Sequence, residues 1–204
     1  MILGWVDFDG LRIPIAPGVF VPRQRSMHLA RRAVRATPAS GTVLDLCCGA
    51  GAIGAVLRRD RPGARVIGSD IDPAAVACAR RTLPEVYAGD LFEPLPRSLL
   101  RSFDVIAANA PYVPTADIAL MPREARDHEP TVTLDGGYDG VQVHRWITAE
   151  AGDWLVPGGR LLIETGRRQA ERTSAAARAQ GAEVAVKQNG TSTVVVATYP
   201  KTRG

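Results

Sequence analysis

The sequence predicts an α/β protein with a mostly parallel sheet that helices cover on both faces. Apolar β-like runs alternate with helical segments along most of the 204 residues, and this alternation is typical of parallel sheets with helical crossovers. The chain ends differently, because its last two β-like runs are separated only by Asn189-Gly190-Thr191-Ser192. Asn-Gly between β runs is a hairpin signal, so we expect the sheet to finish with an antiparallel pair.

The predicted elements follow this alternation. Strands are expected at 42–46, 65–69, 86–88, 103–107 and 160–164, and a closing hairpin at 183–188 and 193–198, which makes seven strands. Helices are expected at 52–59, 73–82, 146–154 and 168–179. Pro73 suits the first position of its helix, and Gly181 suits the position after the end of the last helix. The turn Pro157-Gly158-Gly159 should precede the fifth strand.

The first 38 residues do not fit the alternation. Two β-like runs, 5–8 and 11–15, flank Asp9-Gly10, which is another hairpin signal. Three prolines then interrupt the chain before a helix at about 26–36. We therefore predict that residues 1–38 form a hairpin and a helix packed on the core domain, which takes up residues 39–204.

Composition excludes several classes of protein. Apolar residues make up 46% and no run of 18 apolar residues or secretory signal is seen, so we predict a cytoplasmic protein without a membrane span. The net charge of +4 comes almost wholly from arginine. Because the arginines are spread along the chain, direct nucleic-acid binding is not expected. Cys47, Cys48 and Cys78 are too few for a zinc site and are interpreted as small thiols in a reducing compartment.

Glycines stand where the first predicted strand turns into a helix, between Val43 and Gly54. Gly49 and Gly51 lack a Cβ atom, so the backbone can turn tightly and a ligand can approach it closely. Asp70 follows Gly51 by 19 residues and ends the second predicted strand. A carboxylate there can accept hydrogen bonds from both hydroxyls of a ribose.

Two details favour S-adenosyl-L-methionine over a dinucleotide as the cofactor. The turn has the form Asp-x-x-x-Gly-x-Gly, beginning at Asp45, and lacks the Gly-x-Gly-x-x-Gly register that holds a pyrophosphate. After the third predicted strand, Asp90 can accept from an adenine amino group while Leu91 covers the ring. For Asp45 a second interpretation stays open, in which backbone N–H groups of the turn hold its carboxylate.

The tetrapeptide Asn109-Ala110-Pro111-Tyr112 leaves the fourth predicted strand at the sheet edge where α/β proteins bind ligands. An amide nitrogen is a poor nucleophile because its lone pair is delocalised. If its two N–H groups donate to the Asn109 side-chain oxygen and the Ala110 carbonyl, the lone pair is held towards the methyl donor. Pro111 stiffens the loop, and Tyr112 offers a ring face to a planar group. The alternative is an ordinary strand-ending turn.

With these residues in place, the chain resembles the HemK/PrmC family of protein N5-glutamine methyltransferases. The tetrapeptide stands where that family has Asn-Pro-Pro-Tyr, and the glycine-rich turn also matches. The further matching segments are Val21-Pro22-Arg23, Glu129-Pro130, the stretch from Leu134 to Gly140, Pro157-Gly158-Gly159, and Ile163-Glu164-Thr165-Gly166 with Gln169.

The resemblance implies a Rossmann-like class I methyltransferase fold and methyl transfer to the glutamine of a Gly-Gly-Gln sequence in a peptide chain release factor. S-adenosyl-L-homocysteine would be the second product. Asn109 and Ala110 would hold the amide, Tyr112 would pack on it, and Glu129 would belong to the substrate site. The cofactor residues implied are Arg23, Asp45, Cys47, Cys48, Gly49, Ala50, Gly51, Asp70, Ile71, Asp90, Leu91 and Asn109.

The sequence also departs from the family pattern. Ala110 replaces a proline but keeps the carbonyl, and Cys47 replaces a glycine, which is tolerable if its φ is negative. Thr193 stands where the family has an arginine. Bacterial members carry an N-terminal helical docking domain that this sequence does not show. We therefore expect a longer natural chain, another substrate, or a small activating partner subunit like that of the eukaryotic and archaeal branch.

Three alternatives to glutamine methylation stay open: methylation of an amine on a small metabolite, N6-methylation of adenine in nucleic acid, and a cofactor-binding scaffold without turnover. Adenine methylation would require base flipping, for which a chain of this length leaves little room. Neither histidine near these motifs is predicted to act as a base. We expect His128 to be a loop residue and His144 to be a solvated helix residue.

Overall fold

The computed structural model describes residues 4–120 and 133–200. Two strands, β1 (Trp5–Phe8) and β2 (Leu11–Pro14), form a separate hairpin. The remaining strands are β3 (Thr42–Leu46), β4 (Arg65–Asp70), β5 (Val86–Ala88), β6 (Phe103–Ala108), β7 (Leu155–Thr165), β8 (Glu183–Asn189) and β9 (Ser192–Thr198). The α-helices are α1 (Met27–Ala36), α2 (Ala52–Asp60), α3 (Pro73–Ala79), α4 (Gln142–Trp154) and α5 (Ala170–Ala179).

The seven strands from β3 to β9 form one sheet in the order β5-β4-β3-β6-β7-β9-β8. All pairs from β5 to β7 are parallel, while β9 is antiparallel to both β7 and β8. The predicted seven-stranded, mostly parallel sheet with an antiparallel end is therefore confirmed. Chain order reverses between β3 and β6, and such a switch point is where open α/β sheets place their ligands.

Helices cover both faces of the sheet, which is why its central strands are apolar at successive positions. Val105 and Ala107 of β6 pack in the layer that contains α1, α2 and α3. Ile106 and Ala108 pack in the opposite layer, with α4 and α5. Within residues 4–120 and 133–200, none of the helices combines the length and the apolar character that crossing a membrane requires.

The N-terminal hairpin turns at Asp9 and Gly10, which both have positive φ (54° and 78°) as the predicted two-residue turn requires. The Asp9 carboxylate accepts from Arg31 of α1 at 2.7 Å and from Arg59 of α2 at 2.5 Å. Phe8 is fully buried in the same apolar layer as α1 and α2. The hairpin therefore packs against α1 and α2.

Several predicted boundaries are wrong. The first helix is preceded by a 3-10 turn over Gln24–Ser26, and α3 ends at Ala79 because the chain then folds into a turn. The α4 helix begins at Gln142, four residues before the predicted start. The predicted turn at 157–159 lies inside β7 as an irregularity, since Gly158 has φ +82° and the pairing with β6 shifts register there.

Candidate functional site

A cavity of about 380 Å³ opens at the carboxyl ends of β3, β4 and β6. This volume lies in the range typical of small-molecule sites, and the position is the one that the switch in strand order predicts. Six parts of the chain supply most of the wall: the turns after β3, β4 and β5, the tetrapeptide after β6, the segment before α1, and residues 133–134. The lining residues include Phe20, Pro22, Arg23, Arg25, Cys47, Cys48, Gly49, Ala50, Asp70, Ile71, Asp90, Leu91, Asn109, Ala110, Pro111, Tyr112 and Leu134.

Gly49 and Gly51, the two glycines of the turn after β3, have different roles. A Cβ atom on Gly49 would meet nothing within 4 Å, so this residue leaves the cavity open. Gly51 precedes α2 with φ +78°, and a Cβ atom there would lie 3.3 Å from Leu83 instead of facing the cavity. Gly51 is therefore needed for packing and backbone conformation, and only Gly49 provides the predicted close approach for a ligand.

Asp45 lies outside the cavity wall, in contrast to its predicted place in the cofactor site. Its side chain is fully buried, and its Oδ2 accepts from the backbone N–H of Gly54 at 2.8 Å. Burial raises the pKa of Asp45 to about 8, although the bond from Gly54 acts in the opposite direction. The second interpretation of this carboxylate, as a structural acceptor for the start of α2, is the one that the geometry favours.

Cys47 lines the cavity in a left-handed conformation. Its φ is +56°, so the condition under which a side chain is easily tolerated in place of glycine, a negative φ, is not met. Burial raises the pKa of the Cys47 and Cys48 thiols, and the carboxylates of Asp70 and Asp45 raise both further. Both residues are therefore neutral thiols. Leu91 also lines the cavity with positive φ (42°), so two non-glycine residues are strained there.

The carboxylate of Asp70 is oriented by the two turns that meet at the cavity floor. Its Oδ2 accepts from Gly49 N at 2.8 Å and its Oδ1 from Asp72 N at 2.9 Å. Burial raises the pKa of Asp70, and these two bonds lower it. Each carboxylate oxygen keeps a further acceptor position, which two ribose hydroxyls can use. Ile71 is half exposed and borders the same space.

The lining fits S-adenosyl-L-methionine, because it combines apolar surface for an adenine ring with carboxylates for hydroxyl and amino donors. Asp70 would hold the ribose, and Asp90 with Leu91 would hold the adenine, as their places after β4 and β5 predict. The open space above Gly49 leaves room for the remainder of the molecule. No cluster of three or more metal-binding side chains occurs within the part of the chain that the structure describes.

The tetrapeptide forms the opposite end of the cavity. Asn109 is partly exposed and follows the last residue of β6. Among residues 4–120 and 133–200, none forms a hydrogen bond with the Asn109 side chain, whose amide is therefore available to a ligand. Ala110 is 1% exposed and packs in the core layer beneath the site. Tyr112 is largely buried, and burial raises the pKa of its phenol.

A glycine-rich loop holds the tetrapeptide from behind. Val113 N donates to Leu134 O at 3.0 Å, and Gly136 N donates back to Val113 O at 2.8 Å. A Cβ atom on Gly136 would lie 2.8 Å from Tyr112 Cα, and one on Gly140 would lie 2.6 Å from Tyr112 O. These distances show that the glycines in the stretch from Leu134 to Gly140 permit close backbone packing against the tetrapeptide.

Arg25 is a site residue that sequence reasoning missed. Its Nε donates to Glu164 Oε1 at 3.2 Å, and its guanidinium interacts with the Tyr112 phenol. Burial lowers the pKa of Arg25, but Tyr112 and Glu164 raise it more, so the net pKa is raised. Glu164, at the end of β7, is 1% exposed. Arg25 therefore links the tetrapeptide to β7. The sequence signal that could have indicated this link is Glu164, which belongs to a segment that matches the HemK/PrmC family.

Other residues before α1 also close the cavity. Arg23 lines it as predicted, and its guanidinium carbon lies 5.5 Å from the ring centroid of Phe20. Phe20 and Pro22 were not predicted, although the Pro-Arg match drew attention to their segment. His128 and Glu129 lie outside the described residues, so the substrate role implied for Glu129 stays a prediction.

The expectation that His144 is solvated is wrong, since its side chain is fully buried behind the tetrapeptide. Nδ1 lies 2.9 Å from Thr173 Oγ1, and the ring centroid lies 6.3 Å from that of Tyr112. Burial lowers the pKa of His144 to about 4, while the nearby backbone of Ala110 acts in the opposite direction. Nε2 has no partner with full hydrogen-bond geometry among the described residues. The imidazole is neutral and structural.

Comparisons with known proteins agree with this geometry. A release factor glutamine methyltransferase of Geobacter sulfurreducens is 39% identical over 176 residues, 83% of this chain and 61% of that protein. A 4-amino-L-phenylalanine/4-methylamino-L-phenylalanine methyltransferase of Streptomyces pristinaespiralis is 35% identical over 191 residues, 88% of this chain and 65% of that protein. The chain thus spans less than two thirds of the length of either relative. The first match confirms the resemblance that the motifs indicated.

The fold and the family are also shown by comparison. The crystal structure of a methyltransferase from Pyrococcus furiosus matches with a TM-score of 0.70 and 17% identity, over 94% of this chain and 90% of that one. This likeness confirms the class I methyltransferase fold. The methyltransferase small domain model matches residues 16–122, which is more than half of the chain and includes both the glycine-rich turn and the tetrapeptide. On these grounds the chain belongs to the methyltransferase small domain family.

Proposed function

We propose that this chain is an S-adenosyl-L-methionine-dependent N-methyltransferase that acts on the side-chain amide of a glutamine in a protein of the release factor type. One observation carries the proposal. The Asn109 side chain, without a partner in the described parts of the chain, lines the same cavity as Asp70 and Asp90. A cofactor site and a site for a planar –NH₂ group therefore share one space.

The residues of the tetrapeptide supply orientation. When bound, S-adenosyl-L-methionine supplies an electrophilic methyl group on a sulfonium. The Asn109 side-chain oxygen and the Ala110 carbonyl accept the two N–H groups of the acceptor amide, and the Tyr112 ring packs on its plane. Because the leaving group is already good, such placement contributes more than a strong base would. His144, on the buried side of the tetrapeptide, is a weak base because burial lowers its pKa to about 4, and its Nδ1 contacts Thr173.

Positioning of Tyr112 is the second requirement, and contacts on two sides of this residue support it. The glycine loop contacts its backbone, and Arg25 contacts its phenol. Ala110 makes the tetrapeptide less rigid than the proline of the resembling family would. The contacts from the glycine loop and from Arg25 replace part of that rigidity. We propose that the acceptor nitrogen is held by a braced loop and not by the stiffness of the tetrapeptide alone.

The test is transfer of a labelled methyl group to purified release factor, followed by mass spectrometry of the Gly-Gly-Gln peptide. We expect a gain of one methyl group on glutamine. Asn109→Ala should abolish this gain while calorimetry finds the affinity for S-adenosyl-L-methionine within a few-fold of the parent, because Asn109 holds the acceptor. An unmodified Gly-Gly-Gln peptide in a reaction that labels other molecules would overturn the glutamine assignment.

A second candidate is methylation of an aromatic amine on an amino-acid-like metabolite. The Streptomyces pristinaespiralis relative, named for 4-amino-L-phenylalanine, favours it, because that amine is also a planar –NH₂ group. Parallel reactions with 4-amino-L-phenylalanine and with release factor separate the two. An adenine-containing oligonucleotide in a third reaction tests N6-adenine methylation, and no transfer to any acceptor despite cofactor binding would favour a scaffold.

We also propose that the chain acts in the cytoplasm, where translation takes place, and that a partner subunit is needed if purified protein binds the cofactor without turnover on release factor. Adding a cell extract to the labelled reaction tests the partner. Turnover that appears only with extract supports a subunit, and equal rates with and without extract exclude one.

A further inference from the structure

A second groove, of about 460 Å³, lies between α1 and the turn of the β8–β9 hairpin. The exposed side of α1 forms one wall, with basic side chains one helical turn apart. The hairpin turn from Gln188 to Ser192 forms the other wall. The basic residues of the groove are Arg25, His28, Arg31, Arg32 and Arg35. They come together because positions 28, 31, 32 and 35 share one face of a helix.

Two of these cations are already neutralised. Arg31 Nη2 lies 2.7 Å from the Asp9 carboxylate, and Arg25 Nε lies 3.2 Å from that of Glu164. These pairs fix both guanidinium groups at the sides of the groove. Arg25 is special because it also lines the catalytic cavity, so the two spaces meet at its side chain.

The remaining two arginines, Arg32 and Arg35, have no acidic partner within residues 4–120 and 133–200. Arg32 Nε donates to His28 Nε2 at 3.2 Å, and no carboxylate contacts Arg32 or Arg35 there. Burial lowers the pKa of Arg32, and the charge of Arg35 lowers it further. Burial also lowers the pKa of His28, with Arg32 as the next cause. The groove therefore has a positive electrostatic potential, which a bound anion would reduce.

We propose that this groove binds an acidic stretch of the polypeptide acceptor, whose aspartate or glutamate side chains pair with Arg32 and Arg35 while its glutamine enters the catalytic cavity past Arg25. The inference rests on the proposed function, since it takes the acceptor to be a protein. It assigns substrate docking to a surface outside the tetrapeptide and the cofactor site.

Charge and lining favour an acidic peptide over a nucleic acid. Two uncompensated cations match two carboxylates, whereas proteins that bind DNA through its backbone commonly neutralise roughly six to ten phosphates. Among the described residues, no Phe, Tyr or Trp lines the groove, so it lacks the large rings on which successive bases stack. The polar hairpin wall instead offers hydrogen-bonding groups to a peptide backbone.

The experiment measures binding directly, by fluorescence anisotropy, with two labelled peptides that contain Gly-Gly-Gln followed by either four glutamates or four glutamines. The variant Arg32→Glu/Arg35→Glu reverses the free charges of the groove. The control variant, Arg81→Glu/Arg97→Glu, makes the same change in net charge on exposed arginines near the opposite edge of the sheet. Thermal unfolding checks that both variants fold.

We expect the glutamate peptide to bind about tenfold more tightly than the glutamine peptide at low salt, and the advantage to shrink at high salt. The groove variant should weaken the glutamate peptide by about tenfold, and the control variant by less than about twofold. Equal affinity for both peptides, or equal effects of the two variants, would overturn the proposal. So would tighter, groove-dependent binding of a single-stranded oligonucleotide, which would assign the groove to nucleic acid.

These readouts do not depend on methyl transfer, so the two proposals can fail separately. If the glutamate peptide binds in the groove but its glutamine gains no methyl group, the proposed function fails and the docking surface stands. If glutamine is methylated with the same KM in the parent and the groove variant, the docking surface fails and the proposed function stands.

Discussion

The buried imidazole of His144 makes the stability of this protein depend on pH in a way that one substitution can isolate. Burial lowers its folded-state pKa to about 4, against about 6.5 in an unfolded chain. Between these values the unfolded state binds a proton that the folded state does not. Above about pH 6.5 the imidazole is neutral in both states and does not change the free energy of unfolding. This free energy decreases as pH falls from about 6.5 towards 4, because the unfolded state binds a proton there.

The size of the effect follows from the same two pKa values. At about pH 5, protonation stabilises the unfolded state over about 1.5 pH units, at 1.36 kcal/mol per unit, which gives ~2 kcal/mol. The folded state gains almost nothing at that pH, because its pKa is still lower. The free energy of unfolding should therefore fall by about 2 kcal/mol between about pH 7.5 and pH 5 on account of His144 alone.

The assay is urea unfolding of the parent and of His144→Gln at these two pH values. Glutamine can still meet the Thr173 hydroxyl but does not titrate, so we expect the parent to lose about 2 kcal/mol more than the variant. The comparison cancels other groups, including Asp45, whose raised pKa has the opposite sign and favours the folded state as pH falls through 8. His28→Gln is the control, because His28 is partly exposed and should change the pH dependence much less. Identical pH dependence in the parent and His144→Gln would refute the reasoning.

Three further predictions concern the cavity wall. Asp45→Asn should keep the hydrogen bond from Gly54 but remove a buried carboxylate, so at about pH 8 we expect unchanged or higher stability. Calorimetry should find the cofactor affinity within a few-fold of the parent. A large loss of affinity would show that Asp45 belongs to the cofactor site. Cys47→Gly should unfold with a free energy about 1 kcal/mol above that of Cys47→Ala in urea titrations, since only glycine adopts φ +56° without strain, and equal values would contradict that backbone. Gly140→Ala should greatly reduce turnover but not cofactor affinity, because its Cβ would lie 2.6 Å from Tyr112 O. Gly181 has a similar positive φ (+78° against +75° for Gly140) but open space around it, so Gly181→Ala should lower stability by about 1 kcal/mol and leave turnover unchanged.

Local chemistry made much of the fold predictable. The Asp9-Gly10 turn has the two positive φ angles that its residue types favour, and Gly181 follows the end of α5 in the left-handed conformation. Asp72 accepts from Ala74 N at the start of α3, with Pro73 at the first helical position as expected. Each of these signals acts within a few residues, so the sequence contains all the information needed.

Predicted residues at strand ends lie close together, because parallel strands bring their carboxyl ends to one edge. Asp70, Asp90 and Asn109 were predicted from three separate motifs, and the sheet order brings them to one cavity. The prediction did not require knowing which side chains touch. It required only that each motif follow its own strand.

The sequence by itself therefore determined the element order, the seven-stranded sheet and the three strand ends that line the cavity. Only the tertiary structure decided that Asp45 and His144 are buried, that Cys47 has a left-handed backbone, and that Arg25 meets Glu164 across 139 residues of chain. Hydrophobic periodicity shows which face of an element is buried, because it depends on neighbours three or four residues apart. The polar partner of a side chain, and the groove between α1 and a distant hairpin, depend on contacts between segments that no local pattern records.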